Sequence, residues 1–518
     1  MANASGDAKS AYFPGHFDHA ASGVHYRVDE EGGRVMLSFA RRPAPGASAQ
    51  QMAAEAMQGS RELKYFIGSG HRGRTYLFED RGYWFEIPIN WYGKKQVWDM
   101  APNFLKAREM PLTLPVDPGC LRCHTTGAAA NLPEARNRYA GEPFEAGGIG
   151  CTSCHGDARA HVESGGKTAM MKLNELAPVK RDSVCLSCHL EGQAAVVHRG
   201  KRLVDFKPGE SIFEYASFFV HAGEAGSGGR ATSQWEALLQ SACKRGSGER
   251  LTCTSCHDPH GSDDVMTEGE RVAWYRGKCL ACHDGTGKPG AGEFARSHHP
   301  ENQDCTSCHM ARASSNDIAH EQVTDHRIVR VAGGRSVSPA TTGELVAVGA
   351  ERGTDANRRD LGLAYAQFGA RGERDAAARA VALLEAAKEE PEATKDHELH
   401  AQLGFLMQLD GDRKGAAAEY AAALAADPND SLAAGNLALL EAGAGHYVEA
   451  EKLLSRAFEE DPVQVTAGMN LALVECGLGQ REAALGTLAR VESFSPDSGQ
   501  AKELAHAIES GERACARH

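Results

Sequence analysis

The sequence predicts a mixed fold in three parts: a small β-rich region over residues 1–115, loops and short helices over 116–330, and an α-solenoid over 355–518, with a linker at 331–354. Three observations predict it. Short runs before residue 100 alternate apolar and polar residues, one five-residue Cys/His pattern then recurs six times, and a 34-residue period begins after residue 355. At about 100–200 residues per domain, a chain of 518 residues holds about two to four domains. A net charge of −13 argues against nucleic acid or an anionic membrane surface as partner. No run of about 18 apolar residues codes for a transmembrane helix. The start, "MANASGDAKSAYFPG", has neither a basic n-region nor an apolar h-region, so no signal peptide is visible.

In the first part, "GVHYRV" and "RVMLSFA" alternate around "DEEGG", and "RTYLFE" and "YWFEIPIN" alternate around "DRG". Both read as β-hairpins, with period-2 strands bounded by turn residues. Tyr83, Trp84, Phe85, Trp91, Tyr92 and Trp98 crowd this region. They are expected to form a small β core; the competing reading is an aromatic wall against whatever group the first Cys/His cluster holds.

The middle part carries six Cys-x-x-Cys-His motifs. The first three are Cys120, Cys123 and His124; Cys151, Cys154 and His155; and Cys185, Cys188 and His189. The last three are Cys253, Cys256 and His257; Cys279, Cys282 and His283; and Cys305, Cys308 and His309. Twelve of the 15 cysteines are used this way. The pattern is the attachment signature of c-type haem: two thiols add to the porphyrin vinyl groups, and the adjacent imidazole lies under the iron as proximal ligand. Zinc knuckles need paired Cys-x-x-Cys units and no histidine after every pair. A thioredoxin-like redox pair would occur once, and structural disulfides would not keep one spacing six times. The segment is rich in Gly, Ser, Asp and His and poor in long apolar runs. Six covalent haems c would supply its missing apolar surface, so short helices and loops wrapped on haem are expected, unfolded without it.

Each iron has a sixth position; a second histidine there suits electron transfer, an open position suits small-molecule chemistry. Twelve further histidines lie outside the motifs before the linker, several beside one. His161 follows the second motif, His260 the fourth, and His298 and His299 precede the sixth. A histidine so near its own proximal ligand rarely reaches the opposite face of the same ring, so these are expected to cap neighbouring haems.

The stretches "CHGDARAH", "CHDPHG", "HHP…CTSCHM" and "AHEQVTDHRIVR" resemble multihaem cytochromes c related to the hydroxylamine-oxidation and metal-respiration electron carriers. A bacterial group in which such a region is fused to tetratricopeptide repeats is more similar still. It shares stretches like "YFIGSGHRGRTYLFEDRGYWFEIPINWY", "VCLSCHL" and "ATSQWEALLQSACKRGSGERLTCTSCHDPH", and the resemblance covers nearly the whole chain. It implies His161 as a distal ligand, with His260, His298, His320 and His326 similar on motif grounds. His19, in "FDHAASGVHY", completes the expected set of six, with His16 and His299 as substitutes. Many such relatives carry one more motif ahead of the region matching residue 12, and this chain shows none.

In the last part, units starting at His397, Ser431 and Val465 align Ala416, Ala450 and Ala484, and Pro428, Pro462 and Pro496. Large residues align at Leu403, Leu437 and Leu471 and at Tyr420, Leu454 and Leu488. The period, with small residues where two helices meet and a proline closing each unit, is that of tetratricopeptide repeats. A looser unit precedes them near residues 355–391, and "AKELAHAIESGERA" is expected as a capping helix. Cys243, Cys476 and Cys515 are expected to be unpaired packing or surface residues.

Three functions follow. The first is a six-haem electron carrier working by hopping between irons, with redox partner proteins and a repeat domain that docks or assembles proteins. The second is an oxidoreductase with one open haem acting on a small nitrogen or sulfur compound. The third is a subunit of an extracellular conducting filament. Covalent attachment occurs outside the cytoplasm, so a periplasmic or extracellular location is expected, the sequence as read being either a mature form or one that lacks its leader.

Overall fold

The computed structural model describes residues 5–41, 57–68, 73–108, 110, 112–222, 233–261, 266–283, 304–310, 312, 324–329, 343–349 and 357–515. Contacts gather them into two compact units, residues 4–147 with 357–518, and residues 148–356.

In the first unit, Gly15–His19, Val24–Glu31, Arg34–Arg41 and Met57–Leu63 form an antiparallel meander. The turn of its second hairpin is Gly32–Gly33, both at positive φ, with Glu31 opposite Arg34. That two-residue turn needs left-handed backbone twice, which glycine supplies without strain. The other predicted hairpin, Gly73–Asp80 with Tyr83–Glu86, is the middle of a seven-stranded sheet. Alternation sorts its side chains. Tyr83 and Phe85 enter the main core with Tyr26, Leu37 and Phe78, while Trp84 points to a second cluster with Val116, Leu121, Tyr139 and Phe144. Leu121 lies inside the first Cys-x-x-Cys-His motif, on the helix Pro118–His124. The aromatic residues are thus a β core on one face, and on the other Trp84 supports the first motif.

The C-terminal part is a row of helical hairpins. His397–Asp410, Ser431–Gly443 and Val465–Gly477 begin where the 34-residue period places its units. Their partners are Arg413–Ala426, Tyr447–Glu460 and Arg481–Phe494. A looser pair, Arg358–Gly369 and Arg374–Lys388, comes first, and Gly499–Ser510 comes last. Ala416, Ala450 and Ala484 are completely buried, as small residues must be where two helices approach. Gly411, Gly445 and Gly479, one period apart, turn each hairpin at positive φ. Asp396, Asp412 and Asp430 accept from the backbone N–H groups of Leu399, Gly415 and Ala433, capping three helices.

One expectation here is corrected: Cys476 and Cys515 are joined in a disulfide. Cys476 is indeed buried in the solenoid core, but its sulfur ties down the segment that follows the last helix. Cys243 remains a free thiol.

The solenoid and the N-terminal sheets share a core. Phe494, at the end of Arg481–Phe494, is 1% exposed among the residues of the sheet core. The Arg81 guanidinium lies 3.7 Å above its ring, and Tyr83 and Phe85 pack against it at 5.8 Å. The Thr113 hydroxyl donates to the Phe494 carbonyl at 2.9 Å, and the Tyr83 hydroxyl donates to the Glu459 carbonyl at 2.8 Å. Arg41 pairs with the buried Asp497, and Arg136 pairs with Asp461 at 3.0 Å.

The second unit is built differently. A three-stranded sheet, Ala194–Val197, Ala216–His221 and Leu345–Ala347, carries a small cluster of Leu186, Leu190, Ile212, Phe218, Trp235 and Val348. Leu345–Ala347 falls within the stretch read as linker. Elsewhere the helices are short and bury little: Thr152–His155, Arg159–Glu163, Cys305–His309 and the 16-residue Glu268–His283 contain no buried residue. Among the described residues, no helix is long and apolar enough to cross a membrane.

Candidate haem-attachment sites

Five motifs end a helix with their histidine as its last residue: Pro118–His124, Thr152–His155, Pro178–His189, Glu268–His283 and Cys305–His309. The remaining motif, the fourth in chain order, begins in the 3-10 turn Cys253–Ser255. Helical backbone puts residues three and four apart on one face, so both thiols and the imidazole are presented together. The His155 N–H closes on the Cys151 carbonyl at 2.9 Å, and His257 on Cys253 at 3.0 Å. Local capping fixes these starts. Asp117 accepts from the N–H groups of Gly119 and Cys120, Asp304 from those of Thr306 and Ser307, and Thr252 with Ser255 forms a capping box.

All twelve motif thiols are free of disulfides. In the second unit the motifs are neighbours in chain order. Cys154 interacts with Cys188, Cys185 with Cys253, Cys256 with Cys282, and Cys279 with Cys305. Burial first, and then the Cys305 thiol, push Cys279 up to about 12, and the hydrogen bond to Cys253 holds a proton on Cys185. Cys123 and Cys308, each the second anchor expected of its motif, are half-buried thiols directly before the motif histidine. Cys123 sits on Pro118–His124 beside the buried Leu121, and Cys308 accepts from the Ser307 hydroxyl at 3.8 Å. Among the described residues, no three His, Cys, Asp or Glu side chains converge as a closed metal cage, at Cys123 and Cys308 as at the other ten thiols.

Five of the six motif imidazoles are engaged through Nδ1. His155 uses the Met171 carbonyl at 2.8 Å and His309 the Val329 carbonyl at 2.7 Å. His257 meets the Tyr275 hydroxyl at 3.2 Å, His124 the Gly68 carbonyl at 3.3 Å, and His189 the Gln234 side-chain oxygen at 3.4 Å. An acceptor on Nδ1 fixes the tautomer and would leave Nε2 for a metal.

Two expected distal histidines lie against proximal ones from other motifs. The rings of His155 and His260 are 6.0 Å apart and nearly parallel, at 5°. Those of His257 and His326 are 6.2 Å apart. Imidazoles bound through Nε2 on opposite faces of one metal, with bonds of ~2.0–2.1 Å, have ring centres roughly 6 Å apart. Burial lowers His326, which keeps it the neutral imidazole that a metal takes. Separation alone is not diagnostic, since His16 and His25 also lie 6.0 Å apart across a hairpin, far in sequence from any motif.

The other expectations fare differently. His161 is half-buried, with Nδ1 on the Thr168 carbonyl at 2.7 Å. His19 is buried in its sheet with both ring nitrogens engaged, Nδ1 by the Ser22 hydroxyl at 2.7 Å and Nε2 by the Leu105 carbonyl at 3.2 Å. His298, His299 and His320 lie outside the described residues. Sequence reasoning passed over Tyr275, whose only signal was an aromatic pair, "WY", ahead of the fifth motif.

Residues 95–156 match the family model of Cytochrome c554 and c-prime. The match covers the first two motifs and implies haem c. The donor set fits it: thiol pairs spaced along helices, histidines directed through Nδ1, and short helices that bury little against protein. No curated protein matches the chain. Among solved structures, MamA AMB-1 is similar at 21% identity over 30% of this chain and 80% of that one, with a TM-score of 0.27. MamA MSR-1 is similar at 21% identity over 30% and 84%, with a TM-score of 0.26. A further structure of MamA protein gives 17% identity over 30% and 83%, with a TM-score of 0.27.

Proposed function

We propose that this protein carries six covalently attached haems c and passes electrons among them, and that its solenoid docks or assembles proteins. The observation that carries the reading is the pairing of a motif histidine with a histidine from beyond a different motif, His155 with His260 and His257 with His326. Haem c supplies one-electron chemistry at iron. The chain's part is to hold and space it. The twelve cysteines anchor the rings, and the proximal histidines are aimed by the carbonyls of Met171 and Val329 and by their counterparts. His260 and His326 close sixth positions, which favours outer-sphere transfer over substrate binding. The hydrogen-bonded thiols Cys185 and Cys253, and Cys279 and Cys305, support closely spaced rings from the third motif to the fourth and from the fifth to the sixth. His161, His298 and His320 are proposed for further sixth positions.

The disulfide between Cys476 and Cys515 supports a periplasmic or extracellular location, since such bonds persist in oxidising compartments. The test is the isolated holoprotein. Its intact mass should exceed the 55.3 kDa chain by six haem units, roughly 3.7 kDa at ~616 Da each. Its oxidised spectrum should be low-spin and its reduced form slow to bind carbon monoxide. A mass gain of fewer than five haems, or a dominant high-spin signal, would overturn the reading.

A further inference from the structure

We propose that Tyr275 is a positioning residue that sets the haem on His257 at a higher reduction potential than those on His155 and His309; this rests on the haem reading above. A histidine that binds iron through Nε2 keeps its proton on Nδ1, and the acceptor of that proton governs how strongly the ring donates to the metal. A strong acceptor enriches the ring and favours ferric iron; a weak one favours ferrous.

The acceptors differ in kind. His155 and His309 face main-chain carbonyls at 2.8 and 2.7 Å. His257 faces the Tyr275 phenol oxygen at 3.2 Å. A phenol oxygen is a poorer acceptor than a peptide carbonyl, and 3.2 Å is the long limit for N–H···O. The contact is built in. Tyr275 and Trp274 stand side by side on Glu268–His283, and the Trp274 indole N–H donates to the Cys256 carbonyl at 3.1 Å. One turn of helix thus grips adjacent motif residues, Cys256 through Trp274 and His257 through Tyr275, whose ring stands edge-on to the imidazole at 5.8 Å. Reduction takes one electron from the donor, ferric to ferrous. No bond forms or breaks, and the Nδ1 proton stays where it is. An electron shared among these three haems therefore rests on the one held by His257.

The test is spectroelectrochemical titration of the full-length holoprotein, wild type and Tyr275→Phe, after intact mass has established the haem count of each. Removing the acceptor should move one of the six one-electron steps to higher potential, leave five in place, and shift the g values of one low-spin signal in electron paramagnetic resonance. Trp274→Phe, which loosens the same turn without touching Nδ1, should leave that step in place. If Tyr275→Phe does not load fully, Tyr275→Gln, with an amide carbonyl as acceptor, must move the step lower. Titrations that superimpose on wild type, six steps moving together, or an equal shift in Trp274→Phe would overturn the proposal. Wild-type protein with fewer haems would instead overturn the haem reading.

Discussion

Replacing His260 with alanine removes the ring that lies parallel to His155 at 6.0 Å. The imidazole is 71% exposed, and its one ion-pair partner, Asp258, is 3.9 Å away, so little protein packing goes with it. The effect should then fall on one iron. On the proposed six haems per chain, about one sixth of the ferric haem should become high-spin, and the ferrous protein should bind about one carbon monoxide per chain. The assay is electron paramagnetic resonance for spin state, carbon monoxide titration for stoichiometry, and circular dichroism to show the helical content unchanged. A variant that stays wholly low-spin and silent to carbon monoxide would refute the assignment of His260. A high-spin fraction far above one sixth would refute the claim that its removal is local.

His326→Ala should likewise open one further site, adding to that of His260→Ala, so the double variant should bind about two carbon monoxide molecules per chain. Phe494→Ala should cost about 3–5 kcal/mol by emptying a buried aromatic site in the sheet core, read as a fall in the denaturation midpoint of the first unit. Gly468→Ala should destabilise by about 1–3 kcal/mol, because the added methyl would meet the Phe458 ring and the Val491 side chain, checked by thermal melting. Burial raises Glu86 to about 7 from 4.5, so the folded state favours its protonated form. Stability from this site is fully present below pH ~4.5 and falls as pH rises through 7, by roughly 2–3 kcal/mol; Glu86→Gln should flatten that slope in denaturant titrations from pH 5 to 8.

What the sequence revealed divides along the range of the forces involved. Each helical hairpin packs mainly on its neighbours, so a period of 34 fixed helix starts at His397, Ser431 and Val465 and the burial of Ala416, Ala450 and Ala484. The turns at Gly32–Gly33 and Arg81–Gly82 were legible for the same reason: φ is a local property. The motif triads were legible because Cys-x-x-Cys-His is short and covalent chemistry demands it. Long-range choices were hidden. Nothing near Phe494 in the sequence announces a partner sheet some 400 residues earlier. His260 and His326 could be named as candidates from their neighbourhood, but which proximal ring each meets depends on the tertiary path. His19 shows the opposite failure: it sits in a suggestive stretch, yet both its nitrogens are engaged within the sheet region. The disulfide of Cys476 was invisible because its partner lies beyond the last repeat, where the period gives no register.

The shared core of sheet and solenoid sets an order of events during synthesis. A ribosome makes all six motifs before it reaches Phe494, the side chain that fills the sheet core under Arg81, Tyr83 and Phe85. Until then the growing chain has made Cys120 through His309 while its first sheet still lacks a central aromatic. The last repeat thus works as a keystone: the first unit cannot lock until synthesis has passed Phe494.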